Sequence, residues 1–275
     1  MKIALFLTML NLARMGALAW AIILALWGIL VVLLYPSVAE APISFEDYLE
    51  AFPEALQTAV GATEETASLT FADGNFTLAG FLSMEYISWF ALTLGIYAVV
   101  YCGGLVSREV ERGTLDLLLA QPLKRSTFLL TKYIAFTVIL IGVSTASWLG
   151  IAISVSFIEG DISLWNLALT HLVGLSLVWA IAAYSTLASC LFLDAGRALA
   201  LAGSFTALSY FANLLSTVSE SLIWVQKLSL FHYFRSMELL VLGQISWLGV
   251  LVYLGVTVVC LAAALVVLER RDIKN

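Results

Sequence analysis

Residues 107–132 gather charge into one short stretch of a chain that is otherwise 62% hydrophobic and only 12% charged. Of the 13 Lys and Arg residues, Arg108, Arg112, Lys124, Arg125 and Lys132 fall there. Glu109 and Glu111 interleave with the first two arginines, so local ion pairing is available. Gly113 permits a sharp change of chain direction. Thr114 is a good N-cap, and Asp116 sits in the first turn, where the helix dipole favours an anion. Leu115, Leu118 and Leu119 then share one face at i, i+3, i+4 spacing. Pro122 ends the helix, and Ser126 can cap the next. This pattern predicts a two-turn helix over 114–120. A helix that short is not stable alone, so its leucines need a receiver, either a partner surface or lipid.

Other chemistry is thinly represented. No Gly-x-x-x-x-Gly-Lys-Ser/Thr loop occurs in the chain, so it does not cradle ATP by the usual route. His171 and His232 are far apart and belong to no zinc-ligand cluster. There is no Gly-x-Ser-x-Gly elbow, and no metal or cofactor is expected in the chain itself. Asp194 and Arg197 could be a proton-relay pair, but they flank a three-residue turn, where a loop ion pair is the simpler account. Cys102, Cys190 and Cys260 all lie in apolar runs. Their spacing fits neither a disulfide framework nor a zinc site.

These residues must be positioned by membrane helices. The mean hydropathy is +1.01, and about 20 apolar residues suffice to cross a bilayer. Six such runs occur, at 15–35, 86–106, 128–153, 167–191, 197–216 and 247–268. Backbone groups left unsatisfied in lipid are not tolerated, so these runs should be helices. The expected fold is an all-α polytopic membrane protein of one permease-like domain, 1–275. It has six transmembrane helices, a short transverse helix and small helical elements on the outer side. The apolar run after Arg14 is too long for a signal-peptide core, and the first span is expected to be a retained anchor.

The basic residues sort between alternate loops. Lys2 and Arg14, the five in the island, Arg197, and Arg270, Arg271 and Lys274 make 11 of 13 on one side. The positive-inside rule makes that side cytoplasmic, together with both termini. Segment 1–14 becomes a short cytoplasmic elbow, and 107–127 a cytoplasmic loop. Segment 36–85 has nine carboxylates and no Lys or Arg, and is expected outside. There Ser44 to Asp47 resembles a helix start, a second helix could begin near Pro53, and Thr66 to Thr77 reads as a turn-rich return. The net charge of −6 mostly reflects this face and does not point to nucleic acid. Residues 222–242 carry Lys227, His232, Arg235 and Glu238, too many costly groups for a span. The segment 217–246 is therefore expected to be external, interfacial or re-entrant.

Two stripes could line a path. Tyr86, Phe90, Thr93, Tyr97 and Tyr101, with Gly104, run along span two. Gly203, Thr206, Ser209, Asn213 and Ser216 run along span five. Small and hydroxyl residues in lipid serve helix packing as well as pathways, so both readings stand at this stage.

The pattern Arg108-Glu109-x-Glu111-x-Gly113-Thr114-Leu115-x-x-Leu118-Leu119-x-x-Pro122-x-x-Arg125, followed by Lys132, resembles the signature loop of ABC type-2 exporter permeases. Leu34-Tyr35-Pro36-Ser37 and Leu228-Ser229-Leu230-Phe231-His232-Tyr233 are similar to the same branch. The resemblance implies a membrane-spanning exporter subunit whose loop is a coupling helix docking on a separate ATP-binding subunit. Two such subunits, carrying ATP and Mg, would serve a pair of permeases, identical or related, embedded in membrane lipid. It also implies that spans two and five meet their counterparts across that pair. The family usually has a longer basic helix before span one than residues 1–14 offer. A secondary transporter or channel without an ATPase is the rival. It calls for ionisable residues at mid-membrane and an internal repeat, and neither is evident.

Overall fold

The computed structural model describes residues 3–39, 71–72, 75–113, 124–192, 194–218 and 223–270. Among the described residues the chain is an all-α bundle apart from one two-residue antiparallel pairing. The first helix, α1 (Ile3–Ala39), has 37 residues and measures about 55 Å at 1.5 Å per residue. That exceeds a hydrocarbon core of about 30 Å. Its first turns, expected as a separate elbow over 1–14, continue the same helix from Ile3.

The acidic segment expected to reach residue 85 is shorter than that. Strands β1 (Phe71–Ala72) and β2 (Asn75–Phe76) pair with Phe71 opposite Phe76, within the stretch expected to be turn-rich. Helix α2 (Leu78–Leu82) then starts at once, because the Thr77 hydroxyl accepts from the Gly80 N–H at 3.0 Å. Span two thus begins eight residues before Tyr86, where hydropathy alone placed its start. Tyr35 of α1 donates to the Phe76 carbonyl at 3.0 Å and ties the hairpin to the bundle. The helix starts expected at Ser44 and near Pro53 lie outside the described residues.

A π-type turn at Ser83–Ile87 joins α2 to α3 (Ser88–Cys102). After a break at 103–106 comes the short α4 (Ser107–Glu111). The long helices α5 (Arg125–Val155), α6 (Leu164–Leu191), α7 (Ala195–Val218) and α9 (Trp247–Arg270) follow, with the one-turn α8 (Ile223–Gln226) between the last two.

Among the described residues, five helical stretches are long and apolar enough to cross a membrane: α1, Leu78–Glu111, α5, α6 and α9. Helix α7 has 24 residues, about 36 Å, and is thinned in apolar character by Thr206, Ser209 and Asn213. Between α7 and α9, the described helical pieces have five residues or fewer. None is long enough to cross.

Helix α1 lies along α5, α6 packs on α3 and α9, and α7 packs on α6 and α3. Small residues permit the closest of these approaches. A Cβ on Gly150 would stand 3.1 Å from the Ala25 carbonyl oxygen, and one on Gly28 would stand 2.7 Å from Ile151. One continuous apolar core runs through α1, α3, α5, α6 and α9.

Candidate functional site

At the island end, α3 cannot run on into α4. The chain turns through Gly103-Gly104-Leu105-Val106, and a Cβ on Gly103 would sit 3.0 Å from Leu199 of α7. The interruption leaves backbone groups without helical partners, and side chains of other spans take them up. Ser189 of α6, fully buried, accepts from the N–H groups of Val106 at 2.9 Å and Ser107 at 3.1 Å. Lys132 of α5, only 5% exposed, donates to the Leu105 carbonyl at 2.9 Å and to Glu109 Oε1 at 2.6 Å. Its ammonium also stands 4.8 Å from the centre of the Phe128 ring.

Among the other predicted island residues, Glu111 and Arg125 are bonded to other helices. Arg108 folds over Gly104, where a Cβ would come within 2.5 Å of its Nε. Glu111 reaches across to accept from the Ala195 N–H at 2.7 Å, capping the start of α7. Asp194 accepts from the Arg197 N–H at 2.7 Å. The carboxylate thus caps the start of α7 through the Arg197 backbone, in place of the expected ion pair with its guanidinium. Arg112 is exposed and ends α4, and Gly113 follows at φ +64 with open space around its Cα. Such a backbone is easy for glycine and strained for other residues. Arg125 opens α5 and donates to the Leu268 carbonyl at 2.9 Å, satisfying the last turn of α9. Thr114, Leu115, Leu118, Leu119 and Pro122 lie outside the described residues.

The stripe on span two faces inward. Tyr86 and Phe90 are fully buried and Tyr97 nearly so. The Tyr86 hydroxyl donates to the Leu24 carbonyl at 3.1 Å and bonds Ser147 of α5. Ser147 in turn bonds His171 Nε2 at 3.0 Å, and His171 Nδ1 meets the Leu167 carbonyl at 2.9 Å. Tyr97 and Tyr101 pack on Phe136, and Tyr97 also on Trp20. Four of the five aromatic and hydroxyl positions thus hold the protomer together, with Thr93 half-buried at the margin.

The stripe on span five is split. Thr206 is buried, bonding Tyr184 of α6 and the Ala202 carbonyl. Ser209 accepts from the Leu230 N–H at 2.9 Å, and the Ser229 hydroxyl donates to the Ser209 carbonyl at 2.6 Å. The Leu228–Tyr233 segment is sewn to α7 in this way, and Tyr253 of α9 donates to Leu230 at 3.0 Å. Asn213 is half-buried, and Ser216 belongs to α7 with its side chain outside the described residues.

The face that α3 and α7 leave open lies beside these stripes. Between the two helices runs a groove of about 290 Å³, lined by Leu92, Ile96, Val99, Gly203, Ala207 and Phe211, with Thr206 and Tyr210. Only Gly203 and Thr206 among the predicted seam residues reach it. Ile96 and Phe211 of this lining are exposed. Sequence reasoning missed this face because it followed the aromatic stripe of α3 and the polar stripe of α7, and much of both is taken up by packing within the bundle. It also missed Ser189 and the role of Lys132. A lysine seven residues into α5 was the available signal, since a charge within a span needs a partner.

A broken helix among five apolar stretches of spanning length, with buried polar ties at one end, defines a multi-pass membrane protein with a polar anchoring site there. The family model described as ABC-2 family transporter protein matches residues 19–273, and the chain belongs to that family. It is a transmembrane ABC permease, and such permeases act with an ABC ATP-binding subunit. No curated protein matches the chain.

Proposed function

We propose that the chain forms the translocation path of an ATP-driven exporter as one of two paired permeases, with segment 114–120 docked on a separate ATP-binding subunit. The observation that carries this is the anchoring at the island end. The elements on either side of 114–123, α4 and the start of α5, are both tied to other spans. A mere connection between two spans needs no such ties. A displacement applied to 114–123 reaches α5 through Lys132, α7 through Glu111 and α9 through Arg125. In the family reading ATP and Mg reside on the partner, two copies of which serve the pair, and this chain hydrolyses nothing itself.

Six crossings are proposed, with α7 as the fifth, both termini and the island in the cytoplasm, and the acidic segment outside a plasma or inner membrane. The loop distribution of basic residues supports that orientation. The open groove between α3 and α7 supports pairing through this face. An apolar surface there fits either a second permease or a hydrophobic cargo passing between two permeases.

The test is to replace Leu118 and Leu119 together with glutamate. Membrane insertion should persist, and recovery of the ATP-binding subunit with the solubilised chain should be lost. Undiminished copurification would refute docking through these leucines. A wild-type chain that purifies and transports without any ATP-binding subunit would favour the rival secondary transporter.

A further inference from the structure

The break at Gly103–Val106 is held open from outside its own helix. Two side chains from two different spans each touch the break and the α4 turn beyond it. The Lys132 ammonium bonds the Leu105 carbonyl within the break and Glu109 one turn beyond it. The Ser189 hydroxyl takes the N–H groups of Val106 and Ser107, and exchanges a further bond with the Ser107 hydroxyl at 3.2 Å. Local backbone bonds from Leu105 to the Cys102 carbonyl and from Arg108 to the Gly104 carbonyl still cross the break, so α3 does not set the direction of α4 alone. Lys132 on α5 and Ser189 on α6 set it with them, because the Leu105 carbonyl and the Val106 and Ser107 N–H groups have their partners there. Glu111 then references the far end of α4 to α7.

We propose that Lys132 and Ser189 are positioning residues for energy coupling. They fix the direction in which residues 107–113 deliver the 114–123 segment to the ATP-binding subunit, and they pass its displacement into α5 and α6. This rests on the docking proposed above and adds two residues from outside the loop. A buried lysine that only neutralised Glu109 would leave the direction of α4 unchanged when lost, since the Ser189 contacts would remain.

The test uses the full chain with Cys102, Cys190 and Cys260 replaced and spin labels at Arg112→Cys and Ala200→Cys, both exposed positions on α4's end and on α7. The interlabel distance is measured in the permease alone, and recovery of the ATP-binding subunit is measured separately. In the otherwise unaltered chain the distance should be single and narrow. Ser189→Ala and Lys132→Met should each broaden or shift it, with several-fold less ATP-binding subunit recovered, and Lys132→Arg should restore both. A distance unmoved by Ser189→Ala and Lys132→Met overturns the proposal. So does a change that Lys132→Arg fails to restore, which would mark a purely structural role. Failure of the unaltered chain to bind an ATP-binding subunit would remove docking, while the distance alone still decides the positioning role.

Discussion

At the scale of single residues, the bundle settles its buried polar atoms in pairs and chains that cross between helices. The Leu167 carbonyl can only accept, so Nδ1 carries the proton of a neutral His171 and Nε2 accepts from Ser147. The Tyr86 hydrogen then serves both Ser147 and the Leu24 carbonyl, linking α1, α3's entry, α5 and α6. Tyr86→Phe should destabilise the protein by about 1–3 kcal/mol, the usual consequence of leaving buried partners unsatisfied. Thermal unfolding in detergent measures this, and an unchanged midpoint would show that the chain is not holding the helices. Both ring nitrogens of His171 are bonded. What could not be foreseen was the partner, because Ser147 and His171 are 24 residues apart and meet only when α5 and α6 pack.

At the scale of elements, glycine placement was readable from the chain, while helix starts were not: Ser126, expected to cap α5, lies inside its first turn, and Lys124 precedes the helix without a side-chain cap. Gly113 was expected to redirect the chain, and it adopts φ +64. Glu111 caps a helix 84 residues away, and no local pattern announces such a contact. Helix α2 starts earlier than hydropathy suggested, because the Thr77 cap decides the start and the apolar run does not. The contact of α1 with α5 rests on small residues. Gly150→Leu should therefore drive the two helices apart, since even a Cβ there stands 3.1–3.3 Å from Ala25. Overpacking of this kind typically costs about 1–3 kcal/mol. The expected outcome is a lowered unfolding midpoint, whereas Gly142→Leu, where nothing lies within 4 Å of the added Cβ, should leave it unchanged.

For the whole molecule, the decisive issue is which face meets a second permease. Phe211 is exposed and lines the groove between α3 and α7, whereas Ser209 is buried against the Leu228–Tyr233 segment. In a chain without its native cysteines, Phe211→Cys should crosslink between protomers in membranes and Ser209→Cys should not. The reverse result would turn the pairing face by about 160°, two residues' rotation around a helix. The amino-acid sequence by itself determined the class of molecule. Apolar runs of spanning length, the sorting of basic residues and a punctuated charged loop are all local, so they survive without knowledge of contacts. Only the tertiary structure decided which side of each span is inside and who holds the broken helix. A stripe of aromatic or hydroxyl residues along a span can serve packing or a path, and a backbone group freed by a break can be satisfied by any hydroxyl or ammonium that packing brings near. Ser189 and Lys132 acquired their roles in that way.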